Sequence, residues 1–140
     1  MIKETVKYTN WNGLEVIEDC YFHLNKAELI KLNLTQGGGF DERIKRVYKA
    51  KDTKELIRMI DDIICLAYGV KDEDGRRFMK KDANGVPLVE TWKETEAYSE
   101  ILTKCLQDVE WCAKFINGML PEDMQNQKVD ESKVIEALEG

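Results

Sequence analysis

One apolar stripe in the middle of the chain constrains the fold more than any other feature. Its residues recur at the three- and four-residue spacing of a single helix face: Leu56, Ile60, Ile63, Ile64 and Ala67. Asp52, with Glu55 three positions further on, forms a capping box that marks the start of a helix. Tyr68-Gly69 marks its end, because glycine commonly follows the last helical residue. The sequence therefore predicts a helix that buries one face in a core.

The N-terminal segment has the period of strands instead. Residues 3–9 and 16–24 are rich in β-branched and aromatic side chains, and they flank Asn12-Gly13, the favoured pair for a tight hairpin turn. A lone hairpin is marginally stable, so one of its faces must pack on the rest of the protein.

Two strand registers are possible for this hairpin. A two-residue turn places Lys7 opposite Glu18 and Tyr8 opposite Ile17, which are favourable pairs. The same register places Val6 opposite an aspartate, so a longer loop with a shifted register remains open.

The remaining helical patterns complete the expected fold. They cover residues 25–36, 40–48, 108–118 and a segment that starts at Thr91 or Thr95 and reaches Cys105. Residues 70–90 resemble a loop, in which Asp74-Gly75 and Asn84-Gly85 could form the turns of a small hairpin. We expect a mainly α (α+β) fold, with an N-terminal β-hairpin followed by a compact bundle of about five helices.

The charge distribution suggests where the folded domain ends. The net charge is −6, of which residues 121–140 contribute −4, from two Lys against six Asp/Glu. We expect residues 1–120 to form one domain, with the hairpin in 1–24 and helices in 25–120. Residues 121–140 are expected to form an acidic, flexible C-terminal tail.

Composition also argues against several classes of protein. There is no run of the ~20 apolar residues that a spanning helix needs, and residues 1–5 lack the apolar stretch of a signal peptide. No basic stripe is available for a phosphate backbone. We therefore expect a cytoplasmic protein that binds neither nucleic acid nor membrane.

The candidate chemical sites lack the partners that their chemistry requires. The single histidine, His23, has no recognisable nucleophile or carboxylate partner. A calcium-binding loop with Gly75 at its sixth position would need acidic residues at its first and last positions. The chain has Val70 and Lys81 there. Gly37-Gly38-Gly39 is not followed by the lysine of a phosphate loop. We predict no catalytic residue, no metal and no cofactor.

The four cysteines are expected to be buried thiols, because each lies in an apolar periodic segment and no C-x-x-C pair occurs. Cys105 and Cys112 lie two turns apart if their helix is continuous. That separation, ~10 Å along the axis, is too great for a disulfide.

Eight short patterns follow one another along residues 5–121. In chain order they are the strand pair with Asn12-Gly13, Phe22-x-Leu24-x-Lys26-Ala27-Glu28-Leu29, the glycine-rich break before Phe40, Lys54-Glu55-Leu56-Ile57, Tyr68-Gly69, Asp74-Gly75-Arg76-Arg77-Phe78, Thr95-Glu96-Ala97-Tyr98 and Phe115-Ile116-Asn117-Gly118-x-x-Pro121. Together these patterns resemble the tail assembly chaperones of long-tailed bacteriophages and prophages, which are encoded next to the tape measure protein.

This resemblance implies a non-enzymatic role in the host cytoplasm. It implies binding to the tape measure protein, whose hydrophobic helices are kept soluble, and recruitment of major tail protein as the tail tube grows. It also implies absence from the mature virion. In many relatives a ribosomal frameshift appends a second domain, and residues 121–140 would be the joining segment.

Apolar residues outside the main stripes are the candidate partner-binding surface. They are Trp11 at the hairpin tip, Leu29 and Leu32 on the first helix, and Ile57 and Met59 on the central helix. The alternative for each is a core face wider than the stripe alone, and Trp11 could equally fold back on the core.

Two other functions remain open from the sequence. One is a small structural tail or tail-completion protein of the virion. The other is a small helical ligand-binding domain, which would show a deep pocket with convergent polar groups.

Overall fold

The computed structural model describes residues 1–31 and 45–122. Its elements in chain order are β1 (Ile2–Thr9), β2 (Glu15–Phe22), α1 (Lys26–Lys31), α2 (Thr53–Ala67), β3 (Tyr68–Lys71), β4 (Phe78–Met79), α3 (Leu88–Trp92), α4 (Glu96–Gln107) and α5 (Val109–Gly118). Residues 45–49 are also helical. The four strands form one antiparallel sheet in the order β1-β2-β3-β4.

The N-terminal hairpin adopts the longer loop. Val6 lies opposite Glu18. This pairing is shifted by one residue from the register of a two-residue turn, in which Val6 would lie opposite Asp19. Asn10 explains the difference, because its backbone N–H donates to the Leu14 carbonyl at 2.8 Å and its side chain accepts from the Leu14 N–H at 3.0 Å. Gly13 supplies the positive φ of 78° that closes such a loop.

The inner face of this hairpin carries the centre of the core. Phe22 is fully buried and makes edge-to-face contacts with Phe115, Trp92 and Tyr68, at centroid distances of 5.0, 5.6 and 5.9 Å. The predicted stripe of α2 is buried in the same core, which confirms the central helix and its inward face.

The expectation of a mainly α fold with a bundle of about five helices is wrong. The described residues form an α+β structure, in which a four-stranded antiparallel sheet packs its inner face on helices. The error lies in residues 68–90. Their strands are two to four residues long and form through tertiary pairing, so they leave almost no periodic signal.

Tyr68 and Gly69 show why the sequence did not predict the strand β3. Tyr68 follows the last residue of α2 and is also the first residue of β3, where it pairs with Phe22. Gly69 does not terminate the helix through a positive φ. A Cβ on it would lie 2.7 Å from the Phe78 ring, so glycine is required by the close approach of β4.

Other local predictions in this region are confirmed. Gly75 and Gly85 have φ values of 72° and 80°, and each closes a turn with the residue three positions earlier. The first turn joins β3 to β4, where Val70 pairs with Met79. However, the predicted loop also contains α3, which begins directly after Pro87.

The predicted helix starts at Asn25, Asp52 and Asp108 are confirmed. Of the two starts considered for the next helix, Thr91 is wrong, because α4 begins directly after Thr95. The Glu28 N–H donates to the Asn25 side chain at 2.9 Å, and Glu28 accepts from the Asn25 N–H at 3.0 Å, which completes the capping box. Asp52 and Asp108 cap α2 and α5 through their side chains. Most of the predicted helix over 40–48 and almost all of the predicted tail lie outside the described residues.

A lysine outside the regular elements holds four segments together. The Lys80 ammonium donates to Glu28 Oε2 at 2.6 Å, to the His23 carbonyl at 2.7 Å and to the Leu66 carbonyl at 2.7 Å. It therefore joins α1, the end of β2 and the last turn of α2 to the residue after β4. Burial lowers the pKa of Lys80, and the Glu28 carboxylate opposes that shift.

Lys80→Met is expected to reduce the free energy of unfolding by about 2–3 kcal/mol, because it leaves the half-buried Glu28 carboxylate and two carbonyls without their donor. Urea titration of the wild type and the variant measures this loss.

The double variant Glu28→Gln/Lys80→Met provides the matched control. Glutamine retains the cap on Asn25 and carries no charge, so the double variant should be more stable than Lys80→Met alone. Simple addition of the two single losses would show that Glu28 and Lys80 are not coupled.

Candidate functional site

The most exposed apolar side chains cluster at one end of the hairpin. Among the described residues, the four most exposed large apolar side chains are Trp11 (76%), Ile17 (69%), Ile30 (67%) and Leu14 (62%). Trp11, Leu14 and Ile17 all lie within the hairpin loop or the first three residues of β2, and we call them the hairpin-tip surface. A local concentration of this kind is typical of a protein-binding surface.

Trp11 is fixed in place although its ring is exposed. Its indole N–H donates to the Glu94 carbonyl at 3.2 Å, so the hairpin loop rests on the connection between α3 and α4. An aromatic ring held in this way loses little conformational entropy when a partner covers it. Trp11 has the properties of an anchor residue for protein binding.

Charged side chains border the hairpin-tip surface. Ile17 lies opposite Lys7, whose ammonium is 2.6 Å from the Glu15 carboxylate. Both members of this ion pair are well exposed, so it contributes little to stability. It gives the surface a polar border on the side of Ile17, of the kind found at the edge of protein interfaces.

The structure divides the predicted partner-binding residues. Trp11 and Ile57 lie on the surface, with Ile57 38% exposed. Leu29 is fully buried and Met59 packs against the same core, so both serve the fold in this structure. Leu32 lies outside the described residues.

Leu14 and Ile17 were not predicted as site residues, and the face on which Ile17 lies depends on which of the two possible registers the hairpin adopts. In the two-residue-turn register Ile17 faces Tyr8, which packs against the core. The observed shift by one residue exchanges the two faces and places Val16 opposite Tyr8. The signal that could have revealed Ile17 was Asn10, whose side chain stabilises the longer loop.

A second surface feature is a groove between α2, α4 and the helical residues before α2. It has a volume of about 350 Å³, and its apolar lining consists of Val47, Tyr48, Leu56 and Leu106. We call it the helical groove.

The polar cluster around Asp61 links helices and has no activated nucleophile. Tyr98 donates its hydroxyl hydrogen to Asp61, and the Lys93 ammonium is 3.3 Å from the same carboxylate. Burial and this hydrogen bond raise the pKa of Tyr98. Burial and the Asp61 charge raise the pKa of the Cys65 thiol, so it remains protonated at neutral pH.

Cys105 and Cys112 do not share one continuous helix. Asp108 has an extended backbone that separates α4 from α5, and both thiols are buried. The neighbouring Cys112 thiol and burial raise the pKa of Cys105, so it remains a thiol. Cys20 is buried as well, and all four cysteines are free.

His23 is half-buried against Phe78, with a centroid distance of 6.3 Å, and its Nδ1 atom has no hydrogen-bond partner. Burial lowers its pKa, and the positive charges of the N-terminus and Lys80 lower it further. The neutral imidazole is therefore the form that fits the folded protein.

This shift predicts a loss of stability in mild acid. Because the folded-state pKa is depressed, the unfolded chain binds more protons below about pH 6.5, and the free energy of unfolding falls as the pH falls. Urea titrations at about pH 7 and about pH 5 should show a smaller loss for His23→Gln than for the wild type. Equal losses in the two proteins would assign the effect to other groups.

No helix within residues 1–31 and 45–122 is long and apolar enough to cross a membrane. In the same ranges, no group of three or more His, Cys, Asp or Glu side chains is arranged to hold a metal ion.

The main surface features are thus apolar and suited to binding a protein. The family model for phage tail assembly chaperones matches residues 1–139. The chain belongs to the phage tail assembly chaperone family, which is not a class of enzymes. No curated protein and no solved structure matches it.

Proposed function

We propose that this chaperone binds the tape measure protein in the host cytoplasm, keeps it soluble and helps to recruit major tail protein during tail assembly. It leaves before the virion is complete. The proposal rests on membership of the tail assembly chaperone family together with the hairpin-tip surface.

The hairpin-tip surface suits a partner with exposed apolar helices. An amphipathic helix presents apolar side chains every three or four residues, and these can contact exposed apolar groups on another protein. Trp11, Leu14 and Ile17 provide three such groups at one end of the hairpin, and the Lys7–Glu15 ion pair beside Ile17 remains in water. Covering these side chains removes apolar area from water on both proteins.

Recruitment of major tail protein belongs to a separate part of the chain in this proposal. A frameshift-extended form would carry a second domain after the acidic C-terminal residues. The hairpin tip would hold the tape measure protein while the added domain contacts major tail protein.

Co-expression tests the tape measure interaction. The wild type should keep the tape measure protein soluble and co-purify with it. The triple variant Trp11→Ala/Leu14→Ser/Ile17→Ser should reduce the co-purified amount about tenfold, because it removes the apolar centre of the surface.

The matched control is Ile30→Ser, which removes an equally exposed apolar side chain outside the hairpin tip. It should co-purify tape measure protein as the wild type does, and circular dichroism should show both variants folded. An insoluble, unbound tape measure protein beside the wild type would contradict the function. Full binding by the triple variant would contradict the hairpin-tip surface alone.

A further inference from the structure

In the part of the chain that the structure describes, the strand β1 has one edge without a partner strand. It stands first in the sheet order β1-β2-β3-β4, and β2 pairs with its other edge. The pairing with β2 runs without a bulge from Ile2 to Thr9, and the strand contains no proline. A long, regular edge of this kind is a template for pairing with another strand.

The odd-numbered residues of β1 direct their backbone groups toward this free edge. The Asn10 N–H, next to the last strand pair, donates to the Leu14 carbonyl at 2.8 Å. Because hydrogen-bonded and non-hydrogen-bonded pairs alternate along an antiparallel ladder, the even-numbered residues are the ones that bond to β2. The backbone N–H and C=O groups that face away from β2 therefore belong to Lys3, Thr5, Lys7 and Thr9.

These edge groups are open to a further strand. Among the residues described, none of the four has a backbone hydrogen bond to a loop or a helix. A groove of about 320 Å³ lies beside them, between residues 4–7 and the helix α4. Four consecutive strand residues include side chains of both faces, so the groove follows the edge of the strand rather than one face.

The free edge can pair with a second copy of itself in only a few registers. Antiparallel pairing must place odd-numbered residues opposite odd-numbered residues, since these carry the free N–H and C=O groups. The registers that overlap over most of the strand are therefore centred on residue 4, 5, 6 or 7.

Charge removes three of these four registers. A centre at Glu4 or Lys7 places that residue opposite its own copy, and a centre at Thr5 places Lys3 opposite Lys7. Like charges directly opposite each other destabilise a sheet. In the register centred on Val6, Thr5 lies opposite Lys7 and no like charges lie opposite each other. The strand is therefore complementary to itself in this register.

We propose that two copies of this chain pair antiparallel through β1, with the two Val6 residues opposite each other on a two-fold axis. The two sheets form one continuous sheet, with the helices of both copies on the same side. The Thr5 N–H of each copy donates to the Lys7 carbonyl of the other. The Lys7 side chain keeps its ion pair with Glu15 of its own chain, which balances its charge beside the interface.

This pairing would place the two hairpin-tip surfaces at opposite ends of the dimer. Asn10 of one copy lies opposite Ile2 of the other, so the two Asn10 residues are roughly 25 Å apart along the strands. One long partner could then contact both tips, and a second contact on the same partner raises the overall affinity. This consequence rests on the proposed function, whereas the dimer itself does not.

Sedimentation equilibrium of the full chain tests the pairing. A strand edge is at the low end of protein interface sizes, so we expect a reversible dimer with a dissociation constant in the micromolar range. Thr5→Pro removes an N–H that faces the free edge and that β2 does not use. It should weaken the dimer about tenfold or more, because two hydrogen bonds are lost across the two-fold axis and the proline ring lies at the edge.

Thr5→Ala is the matched control. Both substitutions remove the 2.7 Å hydrogen bond from the Thr5 hydroxyl to Asp19, but alanine retains the backbone N–H. Thr5→Ala should dimerise as the wild type does, and circular dichroism and urea titration show whether both variants are folded.

Nuclear magnetic resonance of the wild type tests the register without any substitution. In the proposed register Glu4 of one copy and Tyr8 of the other form a non-hydrogen-bonded pair, whose α-protons lie close together. Within one strand these residues are ~13 Å apart, so a nuclear Overhauser effect between their α-protons can arise only between copies. We expect this effect at concentrations where the dimer forms.

Four outcomes would overturn the proposal. They are a monomer at every concentration up to about 300 µM, well above a micromolar dissociation constant; equal dimer strength in Thr5→Pro and Thr5→Ala; a dimer without the contact between Glu4 and Tyr8; and contacts from the free edge to another segment of a monomer. No tape measure protein is present, so the result is independent of the proposed function.

Discussion

The arrangement of the helices and strands depends on the hydrogen bonds that the Lys80 ammonium group donates. It satisfies two carbonyl oxygens and one carboxylate at a point where α1, β2, α2 and the end of β4 meet. One of these carbonyls, that of Leu66, lies in the last turn of α2, where a positive charge also complements the helix dipole. The short strand β4 contributes little by itself, and this contact ties it to the helices.

The elements that the sequence predicts well carry their own local signals. The apolar stripe of α2 and the capping residues Asn25, Asp52 and Asp108 each act within a few neighbouring positions, and the structure confirms them. The strands β3 and β4 have no comparable signal. They exist because Tyr68 meets Phe22 and because Gly69 admits the Phe78 ring, which are contacts between distant residues.

The candidate site also contains residues that the sequence could identify and residues that it could not. Trp11 was a reasonable candidate because an aromatic residue beside a turn is commonly near the surface, and it is exposed. Leu29 has similar apolar character but lies in the core, and no pattern within one helix decides which of its apolar faces is buried. The sequence leaves two hairpin registers open, and a shift by one residue between them reverses the face on which Ile17 lies.

The apolar centre and the charged border of the hairpin-tip surface should respond differently to the solution around them. Trp11, Leu14 and Ile17 are apolar, so contacts made there depend on area removed from water and change little with ionic strength. The Lys7–Glu15 ion pair is exposed to solvent, and salt screens such charges over about 8–10 Å. The strength of a contact at this surface is therefore set by the three apolar side chains, whereas the ion pair mainly affects the orientation and rate of partner binding.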